Sequence, residues 1–346
     1  MAILLTGANG FVGTNYINSL EPFNESVVAV DIVPPKERVP CSLPVTHELV
    51  DLTNYDSTLR LIDLYGFNAI IHLAGISQVG NERALDVNVS MARNLLKAVR
   101  HLYTNHPPKM IFAGSAAEYG DLKHDEPPAT ESSRFNPTEP YAASKAIISR
   151  MANVYRLHTN IPITVLRFAN IYGPRQEASK LIPNLIKAAF HGMPIRLNAF
   201  GTPTRQWLYI DDAIDAINVA LEASTHQIFN IGNPEEISIK DLAEMIITFM
   251  HDAMLNNSEF ILPSAIELTD GWGGPQRIAM DVSEAERVLA FSPLVSLRQG
   301  IERTVRAYVE GMHESRKSGI DPGCVDLDPI HLRGPQRQVP RIAPSK

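Results

Sequence analysis

The chain has 346 residues, of which 45% are hydrophobic and 20% charged, and it carries a formal net charge of -7 at pH 7. Such a chain can bury one large core or two unequal domains, which excludes an intrinsically disordered protein. Its acidic balance supplies no basic field for a nucleic-acid backbone, and no apolar stretch is long enough to span a membrane.

The predicted elements alternate. "AILLTG", "VVAVDI", "AIIHLAG", "MIFAGS" and "ITVLRFAN" read as buried parallel strands, being short, apolar and rich in β-branched residues. Between them, Gly13 to Leu20, Thr53 to Leu64, Ala84 to Leu102 and Tyr141 to His158 carry apolar residues at helical spacing. Strand followed by helix, repeated, predicts an α/β fold: a doubly wound, Rossmann parallel sheet. From about Ile171 the rhythm changes. "GPRQ" is turn-like, Leu181 to His191 reads as a helix, "RQWLYIDDAIDAINVALEA" as a strand entering a helix, and "HQIFNIGN" as a further strand. The helical segments Ile239 to Met250 and Leu297 to Glu310 suit a smaller α+β domain, and the Pro- and Arg-containing stretch after Gly311 reads as an irregular tail.

Ala2 to Leu5 is too short for a signal peptide, and Cys41 and Cys324 lie far apart near Pro-rich segments, which fits a reducing compartment better than a disulfide framework. A cytoplasmic protein is expected. No metal site is expected.

The first chemical signal is "LLTGANGFVG", which places Gly7, Gly10 and Gly13 between a strand and the start of a helix. A turn without Cβ atoms can tighten and let backbone approach a pyrophosphate, while the helix N-terminus supplies amide donors and a favourable dipole. The second strand ends in Asp31, whose carboxylate can accept both ribose hydroxyls and would repel a 2′-phosphate, favouring NAD over NADP. Asp51 and Leu52, after a third strand, are placed to flank the adenine. The second signal is "PYAASKA", in which Tyr141 and Lys145 stand one helical turn apart on a common face. A phenol with a pKa of about 10 is a poor base near neutrality, and a neighbouring ammonium group favours the phenolate. Ser115, at the end of the strand "MIFAGS", lies where α/β sheets place their ligands.

In combination these residues resemble the extended short-chain dehydrogenase/reductase family, and within it the NAD-dependent nucleotide-sugar epimerases and dehydratases. The resemblance runs from about Ala2 to Gly311 and rests on "TGANGFVG", Asp31, "DL" at Asp51, "HLAG" at His72, "VNV" at Asn88, "GSAAEYG", "YAASK", "RFANIYGPRQ", "RQWLYIDDAIDA" and "FNIGN". It implies that Gly7, Asn9, Gly10, Phe11, Val12, Gly13, Asp31, Asp51, Leu52, Leu73, Ala74, Gly75 and Asn88 contribute to the NAD site. Asn88 and His72 otherwise read as structural residues inside apolar segments. The resemblance also implies that Tyr141 is the base, that Lys145 holds the nicotinamide ribose, and that Ser115 bonds the reacting sugar oxygen. Asn170 and Arg205 would contact the substrate's diphosphate, with Arg277 as a further substrate residue. The expected division is 1–172 for the NAD domain with 206–232 returning to it, 173–205 and 233–312 for the nucleotide-sugar domain, and 313–346 for the tail.

Two departures from the family pattern are visible. Gly75 to Asn88 is several residues shorter than usual, and "DGWGGPQRIAMD" lacks the customary arginine ahead of a Gly-Asp pair. Family dehydratases carry an Asp-Glu pair directly after the active-site Ser or Thr, where this chain has Ala116 and Ala117. The expected activity is therefore a C4 epimerase acting on a nucleotide diphosphate sugar, with a 4-ketosugar reductase as the alternative and a dehydratase or a silent NAD-binding protein behind them. Glu118, one residue further on, reads as a solvated or structural carboxylate ahead of a substrate contact. Surplus apolar residues on two helices, Leu95, Val99, Ile148 and Met151, suggest a homodimer, because the corresponding helices form the family's dimer contact.

Overall fold

The computed structural model describes residues 2–20, 26–35, 45–78, 80–254 and 265–318. Cys41, Cys324 and the segment 319–346 lie outside the described residues.

A seven-stranded, all-parallel sheet forms the centre, built in the order β10-β6-β5-β4-β1-β2-β3. Its strands are β1 (Ala2–Thr6), β2 (Ser26–Asp31), β3 (Val45–Leu49), β4 (Ala69–His72), β5 (Lys109–Ser115), β6 (Ile163–Phe168) and β10 (Ile228–Ile231). Side-chain alternation along these strands feeds two cores. Leu4, Val28, Ile70, Met110 and Phe112 pack on one face against α2 (Tyr55–Tyr65), α3 (Arg83–Leu102) and α4 (Pro140–His158). Ile3, Leu5, Val27, Ala29, Ile71 and Ile111 pack on the other with α1 (Phe11–Ser19) and α6 (Ile210–Glu222). Each fully buried aliphatic chain contributes roughly 1.5–3 kcal/mol. β3 is an edge strand and largely exposed, which is why its sequence, VTHEL, reads as polar.

Local chemistry sets the helix ends. α2 starts where Asn54 accepts the Ser57 N–H and stops at Gly66, which is left-handed at φ 62°. α4 opens on Pro140 in its first turn, where a missing N–H costs nothing.

The remaining elements form a second layer near the carboxyl ends of the sheet strands. β9 (Thr204–Tyr209) pairs with β7 (Asn170–Tyr172), β11 (Glu236–Ser238) and β13 (Arg277–Ile278). β8 (Ile195–Leu197) pairs with β12 (Ile266–Leu268), and α5 (Leu181–Phe190), α7 (Ile239–Met254), α8 (Ser283–Leu289) and α9 (Leu297–Ser318) complete the chain. These two- and three-residue strands have too few positions for a periodic signal. α9 runs through 313–318, a stretch assigned above to the irregular tail. "HESRKS" has no helix breaker, and the buried stripe Ile301, Val305, Tyr308 and Met312 carries the helix into it. Among the described residues no helix is long and apolar enough to cross a membrane.

Candidate active site

The glycine turn closes around its own backbone. Gly7 has φ +68°, and a Cβ there would stand 2.6 Å from the Ala74 nitrogen. At Gly13 a Cβ would meet the Gly7 carbonyl oxygen at 2.3 Å, so α1 sits directly on the end of β1 only because that residue is glycine. α1 has Gly10 as its N-cap and no side-chain cap, leaving its first amides for an anion. Asp31, across the turn, accepts the Asn9 N–H at 3.0 Å and the Ile32 N–H at 2.8 Å, and Asn9 Nδ2 donates to the Val33 carbonyl. Phe11 and Val12 point partly into the core.

The neighbouring strand end is held from behind. Thr6 Oγ1 accepts the Ala74 N–H at 3.3 Å and lies 2.8 Å from His72 Nδ1. Burial drives the His72 pKa down to about 3, with the Lys145 charge adding to the effect, so the ring stays neutral. Asn88, expected among the cofactor contacts, is completely buried. Its amide accepts the Ile76 N–H at 2.8 Å and donates to the Ile76 carbonyl and the Ser144 hydroxyl, so it shapes the loop after Gly75 with both of its N–H groups engaged. Asp51 is exposed and caps Thr53 through its N–H and hydroxyl, while Leu52 is buried and its carbonyl is held by Asn94.

β5 delivers Ser115 to the start of a short 3₁₀ turn, Ala116–Tyr119. The Ser115 hydroxyl accepts the Ala117 N–H at 3.2 Å. Glu118 reaches back so that Oε1 accepts the Ser115 N–H at 2.8 Å, completing a capping box. Glu118 is fully buried, and Oε2 pairs with Arg167 Nε at 2.8 Å. The carboxylate is thus structural, as the sequence favours, but not solvated. Arg167 Nη1 continues the network to the Tyr119 hydroxyl and the Glu131 carbonyl, and the Tyr119 hydroxyl to Asn230 Oδ1. Burial raises the Glu118 pKa, and the Arg167 charge is the largest influence opposing it.

The sequence holds a clue to this pair that the reading above does not use. Arg167 sits in the middle of "ITVLRFAN", and a guanidinium inside a buried strand demands a partner. The β5–β6 register sets Gly114 opposite Arg167, where a Cβ would stand 2.7 Å from Glu118 Oε1.

α4 brings Tyr141 and Lys145 to the same place. Lys145 is buried, its Nζ donates to the Ala113 carbonyl at 2.7 Å, and it lies 5.8 Å from the Tyr141 ring centroid. Desolvation lowers the Lys145 pKa to about 8, opposed by the Glu118 charge. Tyr141 is pushed up to about 12, first by burial, with a hydrogen bond from Ser115 pulling the other way and the charges of Glu118 and Glu139 adding to the rise. Desolvation of the phenolate is thus the largest influence on Tyr141 in the protein alone.

The two arginines expected at the substrate differ from each other. Arg277 is buried and makes a bidentate pair with Glu236, Nε to Oε2 at 2.8 Å and Nη2 to Oε1 at 2.6 Å, while Nη1 donates to the Lys123 and Glu126 carbonyls. Four of its five N–H groups are engaged and its charge is matched by Glu236, so here it ties the 123–126 segment to β11. Arg205 donates only to carbonyls, at Thr204, Pro275 and Gln276, and has no carboxylate ion pair among the described residues. Asn170, exposed, donates to the Gln206 carbonyl on the same β7–β9 pair.

A sequence model of the "NAD dependent epimerase/dehydratase family" matches residues 3–232. The chain belongs to this family. NAD is the family's cofactor, and the α1 terminus without a side-chain cap, the close-packed glycines Gly7 and Gly13, and Asp31 fit it. A dTDP-glucose 4,6-dehydratase of Salmonella typhimurium is 26% identical over 336 residues, covering 89% of this chain and 93% of its own. Other curated relatives of similar likeness are also dTDP-glucose 4,6-dehydratases. Among solved structures, the UDP-glucose 4-epimerase of Thermus thermophilus with NAD is 25% identical at a TM-score of 0.75, covering 88% of this chain and 98% of its own. The UDP-glucuronic acid 4-epimerase of Bacillus cereus, with UDP-glucuronic acid and NAD, is 27% identical at 0.74, with the same coverage. The chain is thus a member of a group of NAD-dependent enzymes that modify nucleotide sugars.

Proposed function

We propose that the protein is a C4 epimerase of a nucleotide diphosphate sugar that keeps its NAD through the cycle. One observation carries this reading over the dehydratase named for its curated relatives: the turn beside the reacting atoms has a hydroxyl and no acid or base. A 4,6-elimination must remove a proton from C5 and protonate the leaving C6 hydroxyl. Ala116 and Ala117 cannot do either, and the carboxylate next to them, Glu118, is fully buried in its pair with Arg167.

In this reading NAD, when bound, accepts and returns the C4 hydride. Tyr141 takes the C4 hydroxyl proton and later gives it back. With a pKa near 12 set by the protein alone, the phenol needs further positive charge nearby to ionise at neutral pH. Ser115, whose Oγ accepts from Ala117, has its own proton to donate to the C4 oxygen as charge grows there. Lys145, anchored on Ala113, holds the nicotinamide ribose. Gly7, Asn9, Gly10, Phe11, Val12, Gly13, Asp31, Asp51, Leu52, Leu73, Ala74 and Gly75 surround the cofactor. Asn170 and Arg205 take the diphosphate, and a guanidinium without a carboxylate partner suits that anion.

The test is to incubate purified protein with UDP-, GDP-, CDP- and dTDP-hexoses, without added cofactor, and to identify products by NMR. A C4 epimer is expected. A 4-keto-6-deoxy product would make the protein a dehydratase, and stoichiometric oxidation of NADH or NADPH by a 4-ketosugar would make it a reductase.

A homodimer and a cytoplasmic location belong to the same proposal. Leu95, Val99 and Ile148, expected at a dimer contact, are buried within the subunit. The apolar residues that α4 does expose are Ile147, Val154 and Leu157, at 45%, 51% and 60%. They share one helical face, and sedimentation of wild type against Ile147→Asp/Val154→Asp tests the contact.

A further inference from the structure

A cleft of about 470 Å³ lies between α4, the 130–135 segment and the start of β10. Arg134, Arg150, Arg156 and Arg167 line it. Arg167 is neutralised by Glu118. The other three form no ion pair among the described residues, and Arg156 is tied only to Asn153 Oδ1 and the His226 carbonyl. Arg150 and Arg167 both lie over the Phe135 ring, at 5.7 and 4.7 Å from its centroid, which draws like charges together.

Two carboxylates also line the cleft, and both are engaged elsewhere. Glu284 accepts from Arg287 and Gln227, and Glu131 accepts the Asn230 N–H at 2.7 Å. In a chain of net charge -7, guanidiniums converging on one concavity focus a local positive potential. Their planar donors match phosphate and carboxylate oxygens in pairs.

We propose that this cleft is a second anion site, separate from the Ser115 centre, which takes a small molecule with two neighbouring negative charges borne by phosphate or carboxylate groups. The site has a direct structural route to the reacting centre. Arg167 forms its wall, Arg167 Nε holds Glu118, and Glu118 holds the Ser115 N–H. An anion that attracts Arg167 weakens its hold on Glu118 and loosens the Ser115 turn.

The test is calorimetric titration of the purified protein, carrying its NAD, with inorganic pyrophosphate and separately with malonate at constant ionic strength. A saturable phase is expected with at least one of them. It should weaken at least tenfold in Arg134→Ser/Arg150→Ser, with NAD content and the unfolding midpoint unchanged, and it should persist in Arg205→Gln. Preference for pyrophosphate assigns a phosphate-bearing ligand and preference for malonate a carboxylate. The proposal is overturned if neither probe gives a saturable phase, or if the phase survives in the double variant and disappears in Arg205→Gln.

Discussion

The glycine turn and the β9 edge, both proposed above to hold anions, are built by opposite means. Around Gly7, Gly10 and Gly13 the groups on offer are backbone amides, positioned within one strand-to-helix connection. On β9 and the neighbouring β13 they are arginine side chains whose partners come from distant segments: Arg277 on β13 is held by Glu236 and by carbonyls at 123 and 126, and Arg205 on β9 by carbonyls at 275 and 276. A backbone site needs only the correct local spacing. A side-chain site depends on which partner each charge finds, and two arginines with similar expected roles can finish in different ones.

The largest effect is expected at the centre between the two regions. Tyr141→Phe should lower turnover by about 10²–10⁴-fold, the usual share of acid–base catalysis, while leaving NAD content unchanged. Activity within tenfold of wild type would remove Tyr141 from the mechanism.

The buried pair beneath Ser115 comes next. Glu118→Gln leaves the Arg167 guanidinium without its counter-charge and should cost about 3–5 kcal/mol in urea unfolding. The double variant Glu118→Met/Arg167→Met should recover most of that loss, since no lone charge remains. Equal losses in single and double variants would show that packing, not charge, holds the turn.

The arginine comparison has its own test. Arg205→Gln should raise KM for the nucleotide sugar about tenfold with little change in unfolding midpoint, which is the signature of lost binding. Arg277→Gln should instead lower the midpoint, because Glu236 and two carbonyls lose their donor, and leave KM within a few-fold. The reverse pattern would exchange the two roles.

A further effect is pH-dependent. His72 has a folded pKa near 3 against about 6.5 when exposed. Between these values the unfolded chain binds the proton and the folded one does not, so stability is complete above pH 6.5 and falls as pH drops toward 3. The slope from this residue is at most about 1.4 kcal/mol per pH unit, and His72→Phe should remove it from the acid limb of the unfolding curve.

Much of the fold was legible because its signals are local. Short continuous apolar runs and helices at period 3.6 locate the parallel sheet to within a few residues, and the end of β1 followed by three glycines locates the strand-to-helix turn. The homodimer expectation shows the limit of the same signals. Leu95, Val99 and Ile148 have the correct periodicity for an interface, but α3 lies between α2 and α4 and they are buried there. Hydrophobic spacing reports that a face is covered, not what covers it.

By itself, then, the sequence determined the α/β architecture, the glycine turn with Asp31 after it, and the pairing of Tyr141 with Lys145, since each follows from short-range spacing on a strand end or helix face. Only the tertiary structure decided where charge resides. It placed Glu118 against Arg167, 49 residues away, gave Arg277 to Glu236 while leaving Arg205 with carbonyls alone, and raised Tyr141 through burial. Charges are fixed by desolvation and by partners brought together through sheet register, and neither quantity exists until the chain has folded.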